Sequence, residues 1–532
     1  MGLIPRRIII GAGLCVVAFA LVGIRLVDVT LMQGGVAASV SGRVIAARAD
    51  LTDRNGELLA RDLPVKDLYA RPRVLWDKAQ AARDLARVTG ADMRRLDNGF
   101  NTARHPYVLV ARQLTPDQQD SVMHLGLPGL EFEPSAKRYY PDGRTAAQLL
   151  GVTDADNNGV SGLELGLNEK LHSQAGSQVA TSIDKRVQYI LAHETESARQ
   201  MFTARAAGGV VMDVNSGEII AMISVPDFDP NQRRLGAGDS TRNVMAQDVY
   251  ELGSVFKIFS FALGFEDKTM HLDEVFPIGQ GFRIGKYTIH EAEHMPATLQ
   301  ARDILAQSSN IGTSQIALRS GGVRQRAFLQ KIGLLGPIRS ELPEMARPLY
   351  PRANWGAIET ATVGFGQGIS VSPLSFVAAA ASMVNGGRRI TPTFLKQAPG
   401  ADNRKEQVIR PDTSEQMRDL LRYVVTNGTG RKADIPGYDV GGKTGSAQVP
   451  GPNGRYIPHA LRTSFISIFP VHKPRYILFV LLDQPHGTKE TGGFALAGYT
   501  AAPLAGKVIS RIAPLLGVPN TAPPVKLARG NS

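Results

Sequence analysis

The chain has 532 residues, of which 43% are hydrophobic and 20% charged, and its formal net charge is +12. This length exceeds what one hydrophobic core usually serves, and the composition excludes a disordered chain or a multi-spanning membrane protein for most of the sequence. The positive charge suits an anionic partner, which could be a membrane surface, polyanionic wall material or a nucleic acid.

The N-terminus predicts a membrane anchor. Arg6 and Arg7 precede an uncharged apolar run over residues 8–24, which is just long enough to cross a bilayer. By the positive-inside rule, residues 1–7 are cytoplasmic, residues 8–24 span the membrane and the rest of the chain is exported. A cleaved signal peptide is the alternative, since Ala18-Phe-Ala20 resembles a cleavage site, but the apolar run continues past it. Export argues against nucleic acid.

The cysteine content fits this topology. Cys15, the only cysteine, lies inside the apolar run and is interpreted as a buried apolar thiol. The exported body therefore has no disulfides and depends on its hydrophobic core alone.

A smaller, β-rich domain is predicted next to the membrane, over residues 25–175. Asn55-Gly56 between apolar flanks is typical of a hairpin turn. Further along, a helix-compatible stretch at 77–89 and a short apolar strand at 107–111 indicate mixed α and β content.

A larger α+β domain is predicted over residues 176–517. Asp184 introduces an amphipathic helix that runs to about residue 200, and residues 208–222 read as strand, tight turn, strand. Residues 476–482 form a continuous apolar run of strand length, and residues 500–513 have helical periodicity. The proline-containing end, residues 518–532, is predicted to be a disordered tail.

Ser254-Val-Phe-Lys257 is the first candidate catalytic motif. A serine and a lysine three apart on a helix share one face, and such a lysine can take the serine proton if burial or a nearby positive charge lowers its pKa. An unremarkable surface pair is the alternative.

Two further motifs follow. Ser308-Ser-Asn310 comes after a helix-compatible run and offers a hydroxyl and an amide, although a loop or a helix cap would use the same residues. Lys443-Thr-Gly-Ser446 puts a lysine and two hydroxyls on a strand-like segment, where a turn is the alternative. The order S-x-x-K, S-x-N, K-T-G, with 54 residues between the leading serines and 133 from Asn310 to Lys443, is typical of penicillin-recognising serine enzymes.

A competing motif is His290-Glu-Ala-Glu-His294, which matches the H-E-x-x-H pattern of zinc proteases. That chemistry requires both histidines on one helix. A strand-like run precedes the motif and Pro296 follows it, so we predict no such helix and no metal site.

On these motifs the sequence resembles the class B penicillin-binding proteins, and among them the division-specific septal D,D-transpeptidases of the penicillin-binding protein 3 type. The resemblance runs from about Arg43 to Leu516. Besides the three motifs it includes Asp53-Arg-Asn-Gly56, Arg138-Tyr-Tyr-Pro141, Gly162-Leu-Glu164, Arg242-Asn243, Tyr250-Glu-Leu-Gly253 and the segment 364–373. It implies an α+β multidomain protein: a transmembrane helix, a β-rich pedestal domain, and a transpeptidase domain whose five-stranded antiparallel sheet is flanked by helices.

The resemblance also implies residue roles. Ser254 is the nucleophile and Lys257 its general base, while Ser308 relays a proton and Asn310 holds the substrate amide and helps to position Lys257. A substrate-binding set receives the terminal carboxylate and backbone of a D-Ala-D-Ala stem peptide: Lys443, Thr444, Gly445 and Ser446. Backbone N–H groups of Ser254 and Ser446 form the oxyanion hole, and no cofactor is required.

The implied cellular setting is a single-pass protein of the bacterial inner membrane with its catalytic body in the periplasm, at the division septum. Peptidoglycan stem peptides, β-lactams, and division proteins including a membrane glycosyltransferase are the expected partners. An elongation-specific class B transpeptidase is the nearest alternative, and a noncatalytic division scaffold is an alternative of another class. A β-lactamase, a β-lactam sensor and a bifunctional class A enzyme fit less well, because the sequence shows no recognisable deacylating group, further spans or glycosyltransferase motif.

Overall fold

The computed structural model describes Ala20 and residues 48–102, 106–232, 239–400, 402–451 and 453–521. The predicted cytoplasmic N-terminus and membrane span lie outside the described residues, Ala20 excepted. Within the described ranges, the helices all fall short of the length and apolarity needed to cross a membrane.

Strands and helices mix along the described chain and are numbered in chain order. The strands are β1 (Asp50–Thr52), β2 (Leu58–Ala70), β3 (Val108–Leu114), β4 (Leu130–Tyr139), β5 (Gln178–Ala180), β6 (Ala206–Asp213), β7 (Ile219–Val225), β8 (Val275–Pro277), β9 (Phe282–Ile284), β10 (Tyr287–Ile289), β11 (Thr298–Gln300), β12 (Gly441–Pro450), β13 (Tyr456–Phe469) and β14 (Tyr476–Asp483). The α-helices are α1 (Lys78–Thr89), α2 (Met93–Thr102), α3 (Pro116–Met123), α4 (Ala147–Leu150), α5 (Gly162–Gly166), α6 (Asn168–Ser173), α7 (Lys185–Met201), α8 (Lys257–Glu266), α9 (Ala301–Gln307), α10 (Asn310–Ser320), α11 (Gly322–Lys331), α12 (Ala357–Gly364), α13 (Pro373–Ala381), α14 (Pro411–Asn427) and α15 (Ala501–Leu515).

The chain divides into two compact units. Leu63–Lys137 belongs to the first, and Arg48–Asp62 together with the chain from Arg138 onward belongs to the second. The predicted boundary between residues 175 and 176 lies inside the second unit and stays a prediction. Of the predicted tail, Val518 is buried, whereas residues 522–532 lie outside the described part.

The first unit packs helices against strands. The later part of β2 pairs antiparallel with β3, β2 also pairs with β4, and helices α1, α2 and α3 accompany them. Helix α1 begins at the cap Asp77, whose side chain accepts a hydrogen bond from the Gln80 amide, and it buries Leu85 in the unit's core. The predictions of a helix at 77–89 and a strand near 107–111 are confirmed.

The second unit is built on a five-stranded sheet in the order β12-β13-β14-β6-β7, with every neighbouring pair antiparallel. All eight residues of β14 are buried. Its side chains alternate between two cores: Phe479 belongs to the one that contains α8 residues, and Val480 to the one that contains α15 residues. Helices therefore cover both faces, which explains why β14 is a continuous apolar run instead of an alternating one.

Several predicted elements of this unit are confirmed. Asp184 caps α7, accepting hydrogen bonds from the Arg186 and Val187 amides. The strand–turn–strand predicted over residues 208–222 is β6 and β7, joined by a turn in which Gly217 has φ +77°. The early hairpin at Asn55-Gly56 is also present, since β1 and β2 pair antiparallel around it.

The second unit also buries an ion network near its N-terminal edge. Glu164 is fully buried and accepts hydrogen bonds from Arg48 Nε at 3.0 Å and from Arg138 Nε at 2.7 Å. Arg138 also donates to the buried Asp62 at 3.1 Å. These four residues come from four separate places along the chain, so the network ties the start of the unit to its body.

Candidate active site

The first motif lies where a short 3-10 turn leads into a buried helix. The turn covers Gly253–Phe256 and contains Ser254, while Lys257 is the first residue of α8. Every residue of α8 except Glu266 is buried, which fits a helix that is apolar nearly all round. Ser254 is half-buried, and Lys257 is completely buried.

The second motif sits at the junction of α9 and α10. Ser308 ends α9 with φ +67°, a left-handed conformation that is uncommon outside glycine. Ser309 caps the next helix through its hydroxyl, which accepts a hydrogen bond from the Gly312 amide, and Asn310 begins α10. The two helices therefore present Ser308 and Asn310 at one sharp bend. The helix predicted before this motif is confirmed.

The third motif occupies the edge strand β12. This strand pairs only with β13 within the described sheet, with Lys443 opposite Ile466 and Ser446 opposite Thr463. A Cβ placed on Gly445 would lie 2.7 Å from the Leu252 carbonyl oxygen and 2.9 Å from Val255 Cγ1. The missing side chain lets β12 approach the turn that carries the first motif.

Lys257 joins the first two motifs. Its Nζ lies 2.5 Å from the Ser308 carbonyl oxygen, 3.2 Å from Ser308 Oγ and 2.8 Å from Asn310 Oδ1. Burial lowers the pKa of Lys257 from 10.5 to about 7, and the negative charge of Glu291 opposes this shift in part. Near neutral pH, Lys257 therefore exists as a mixture of amine and ammonium and can accept a proton.

Lys443 joins the third motif to the second. Its Nζ donates to Ser308 Oγ at 3.0 Å and to the Thr444 carbonyl at 3.0 Å. Burial lowers the pKa of Lys443 well below its usual value, and the positive charge of Lys257 lowers it further. The Thr444 hydroxyl lies 2.6 Å from that of Thr429, and the Ser446 hydroxyl accepts a hydrogen bond from the Ala497 amide at 3.0 Å.

These groups meet at a cleft of about 350 Å³. Five of the predicted site residues line it directly: Ser254, Ser308, Asn310, Thr444 and Ser446. The two lysines lie buried behind that lining. Among the residues that the structure describes, Ser254 Oγ has no hydrogen-bond partner, so its hydroxyl is available to a molecule in the cleft. Ser254 lies three residues before Lys257, and among the described residues no hydrogen bond joins Ser254 Oγ to Lys257 Nζ, whose partners are Ser308 and Asn310. A serine followed one turn later by a buried lysine of lowered pKa is the arrangement that acyl transfer needs.

Sequence reasoning missed the role of Glu291. The segment around His290 and His294 is a loop after β10, as predicted, so the two histidines do not share a helix face. Glu291 instead binds the start of α10: its carboxylate accepts hydrogen bonds from Ser309 Oγ at 2.5 Å, from the Asn310 amide at 2.7 Å and from the Ile311 amide at 3.0 Å. The H-E-x-x-H motif contains Glu291, but that motif indicates zinc chemistry and not a contact with the start of α10.

No cluster of three or more potential metal ligands occurs among the described residues.

Comparisons with known proteins agree with this geometry. Residues 207–507 match the penicillin binding protein transpeptidase domain, and residues 43–198 match the penicillin-binding protein dimerisation domain. A protein of Caulobacter vibrioides named probable peptidoglycan D,D-transpeptidase FtsI is 39% identical over 497 residues, covering 91% of this chain and 83% of the relative. The peptidoglycan D,D-transpeptidase FtsI of Escherichia coli K12 is 28% identical over 514 residues, covering 90% and 86%.

Solved structures extend the comparison. The crystal structure of penicillin binding protein 3 from Mycobacterium tuberculosis complexed with aztreonam superposes with a TM-score of 0.70 at 25% identity, covering 90% of this chain and 98% of that one.

Proposed function

This chain belongs to the class B penicillin-binding proteins of the FtsI type and is a peptidoglycan D,D-transpeptidase, and from that premise we propose how its own residues carry out the reaction. The observation that carries the proposal is the convergence of Lys257 and Lys443 on Ser308 Oγ, beside a cleft lined by the unpartnered Ser254.

In the acylation step, Ser254 Oγ attacks the carbonyl carbon of the peptide bond between the two D-alanines, and Lys257 takes the hydroxyl proton. The pKa of about 7 supports this role, because a useful fraction of Lys257 is then neutral. The Ser308 carbonyl and Asn310 Oδ1 accept hydrogen bonds from Lys257 Nζ and so stabilise the ammonium that proton transfer creates.

The negative charge that develops on the substrate carbonyl oxygen is held by backbone N–H groups of Ser254 and Ser446. Both residues line the cleft, which supports this assignment. Losing one such donor typically costs about 10²- to 10³-fold in turnover.

Expulsion of the terminal D-alanine requires a proton on its leaving amine. We assign that relay to Ser308, whose hydroxyl reaches both lysines: a proton leaves the Ser308 hydroxyl for the amine and is replaced from Lys257, which received it from Ser254. Asn310 holds the substrate's amide and keeps Lys257 in place. The products of this step are free D-alanine and an ester at Ser254.

The substrate itself docks along β12. Lys443, Thr444 and Ser446 bind its terminal carboxylate, and the open edge of β12 pairs with its backbone, for which Gly445 leaves room. An incoming carboxylate raises the pKa of Lys443, so the lysine regains a proton when the site is filled.

In the second half of the reaction, an amine of a neighbouring stem attacks the Ser254 ester. The amine loses a proton to the same lysine relay, and Ser254 leaves as a hydroxyl, which completes a cross-link. A β-lactam is expected to acylate Ser254 in the same way and to stay bound, because its ring-opened leaving group remains attached and blocks the acceptor.

The remaining assignments extend the proposal to the cell. We propose a pedestal domain over 25–175, a transpeptidase domain over 176–517 and a single N-terminal span that leaves the body in the periplasm, supported by the apolar run at 8–24. The FtsI relatives support a place at the division septum. From the family resemblance we also propose a membrane glycosyltransferase and other division proteins as partners.

The direct test is acylation by a fluorescent penicillin. Purified full-length chain is incubated with the probe, and the modified residue is identified by peptide mass spectrometry. A stable adduct at Ser254, absent from Ser254→Ala, is the expected result. A folded wild-type chain that forms no adduct would overturn the proposed mechanism.

A further inference from the structure

The carboxylate that the zinc-like motif contributes lies against the catalytic residues from outside all three motifs. Glu291 belongs to the loop after β10, and its two carboxylate oxygens receive three hydrogen bonds from the segment Ser309–Ile311. It is half-buried, so these bonds are partly shielded from water.

These contacts complete the start of α10. The first turn of that helix contains no acidic residue of its own. Glu291 accepts hydrogen bonds from the amides of Asn310 and Ile311, and the Ser309 hydroxyl accepts one from the next amide, that of Gly312. A carboxylate at a helix N-terminus is stabilised by the exposed N–H groups and by the helix dipole. Glu291 thus supplies from another loop the anion that this helix lacks.

Asn310 is held at both ends by this arrangement. Its backbone amide donates to Glu291 Oε2 at 2.7 Å, its side-chain Nδ2 donates to the His290 carbonyl at 3.4 Å, and its Oδ1 accepts from Lys257 Nζ at 2.8 Å. Orientation of the amide follows, because Nδ2 points to His290 and leaves Oδ1 for Lys257. Ser308, two residues before Asn310, has left-handed backbone torsions that need such support.

We propose that Glu291 is a positioning residue for transpeptidation, whose carboxylate holds the segment 308–310 in register against Lys257. The inference rests on the proposed function, since it assigns Glu291 to the same acylation step. Glu291 is placed to act in two ways, by hydrogen bonds to the segment and by its charge.

The charge has a measurable consequence. The charged groups that act on Lys257 are Glu291, which raises its pKa, and Lys443 of β12, which shares Ser308 Oγ with it. Removing the negative charge of Glu291 therefore lowers the pKa of Lys257. A loss of activity that comes only from a disturbed fold would not move this pKa in that direction.

The test measures the second-order rate of acylation by fluorescent penicillin as a function of pH. In Glu291→Gln we expect the plateau rate to fall roughly 10- to 100-fold, the cost of misplacing a catalytic group by about 1 Å. We also expect the acid limb, the part of the profile in which the rate rises as Lys257 loses its proton, to move to lower pH. Glu291→Asp keeps the charge and should leave the acid limb near that of wild type, with a smaller loss of plateau rate.

Two more variants test the hydrogen bonds apart from the charge. Ser309→Ala removes both the 2.5 Å hydrogen bond to Glu291 and the cap on the Gly312 amide but keeps the carboxylate, so its plateau should fall while its acid limb stays in place. Glu359→Gln is the matched control, because Glu359 is an acidic residue in the first turn of another helix, α12, and its plateau and limb should both stay at wild-type values.

Failure of this inference can be distinguished from failure of the proposed function. Wild type must form the Ser254 adduct and Ser254→Ala must not, whatever Glu291 does. With that satisfied, a wild-type plateau in Glu291→Gln would overturn the inference. So would equal losses in the Gln and Asp variants with no movement of the acid limb, since a structural cap alone would produce them.

Discussion

The side-chain nitrogens of Lys257 and Lys443 share one hydroxyl: Ser308 Oγ lies 3.2 Å from the first and 3.0 Å from the second. Both lysines are fully buried, and burial lowers the pKa of each. The two side chains would repel one another if both were protonated. The site therefore favours states in which at least one of the two lysines is neutral. Ser308 Oγ therefore lies within hydrogen-bonding distance of two groups that can each carry a proton.

The rate of acylation should depend on pH through Lys257. Its pKa of about 7 means that it is mostly protonated below neutral pH and mostly neutral above it. Only the neutral form accepts the Ser254 proton, so the rate should rise through about pH 7 and then level off. Stopped-flow measurements with a fluorescent penicillin provide the profile. A rate that stayed constant from about pH 5 to about pH 9 would contradict the assignment of Lys257 as base.

Replacing Ser308 should interrupt the relay between the lysines. Ser308→Ala removes the hydroxyl but keeps the backbone carbonyl that Lys257 also contacts, so we expect Lys257 to stay in place while acylation slows about 10²- to 10⁴-fold. Ser320→Ala is the matched control, because Ser320 lies at the far end of α10 and its hydroxyl has no hydrogen-bond partner in the described part of the chain. Equal rates in the two variants would exclude Ser308 from proton transfer.

A methyl group on Gly445 should separate β12 from the turn Gly253–Phe256, which contains Ser254. The added Cβ would lie 2.6 Å from Ser464 Oγ and 2.7 Å from the Leu252 carbonyl oxygen, which is too close for either contact to persist. Gly445→Ala should therefore lower the acylation rate roughly 100-fold, the order expected for a displacement of about 1 Å. Gly336→Ala, where a Cβ meets open space, should react as wild type does. A normal rate in Gly445→Ala would show that β12 and the turn need not approach so closely.

The buried ion network should control stability. Glu164→Ala would leave Arg48 and Arg138 with less compensation for their buried charge, so the free energy of unfolding should fall by about 3–5 kcal/mol. Arg61→Ala breaks the exposed pair with Asp50 and should cost far less, because water and salt screen an exposed pair. Chemical denaturation of the two variants provides the comparison. Similar losses would mean that the buried network adds nothing beyond a surface pair.

Much of the secondary structure was predictable because it is encoded in local patterns. The cap Asp184, the turn at Gly217 and the apolar run of β14 each act within a few residues, and each prediction is confirmed. The three motifs were recognisable for the same reason, since their residue types and spacing can be read directly. Their likeness to a known family then implied a common cleft.

The contacts that make the cleft reactive were not readable in this way. The apolar residues that follow Lys257 indicate a buried helix, but they do not indicate that the lysine itself is completely buried. The role of Glu291 depends on a loop that meets α10 from 18 residues before Ser309. The zinc-like pattern around Glu291 was correctly predicted not to form a helix. The sequence nevertheless gave no sign of what the Glu291 carboxylate binds.

The sequence by itself determined which residues are available for chemistry, and the tertiary structure alone decided how they are tuned. Ser254, Ser308 and Lys443 carry their functional groups wherever the chain places them, so their identity is a local property. A pKa and a hydrogen bond are properties of surroundings, and the surroundings of Lys257 come from segments 51 to 53 residues away along the chain. Only the folding of those segments into one core removes the water that would otherwise keep Lys257 protonated.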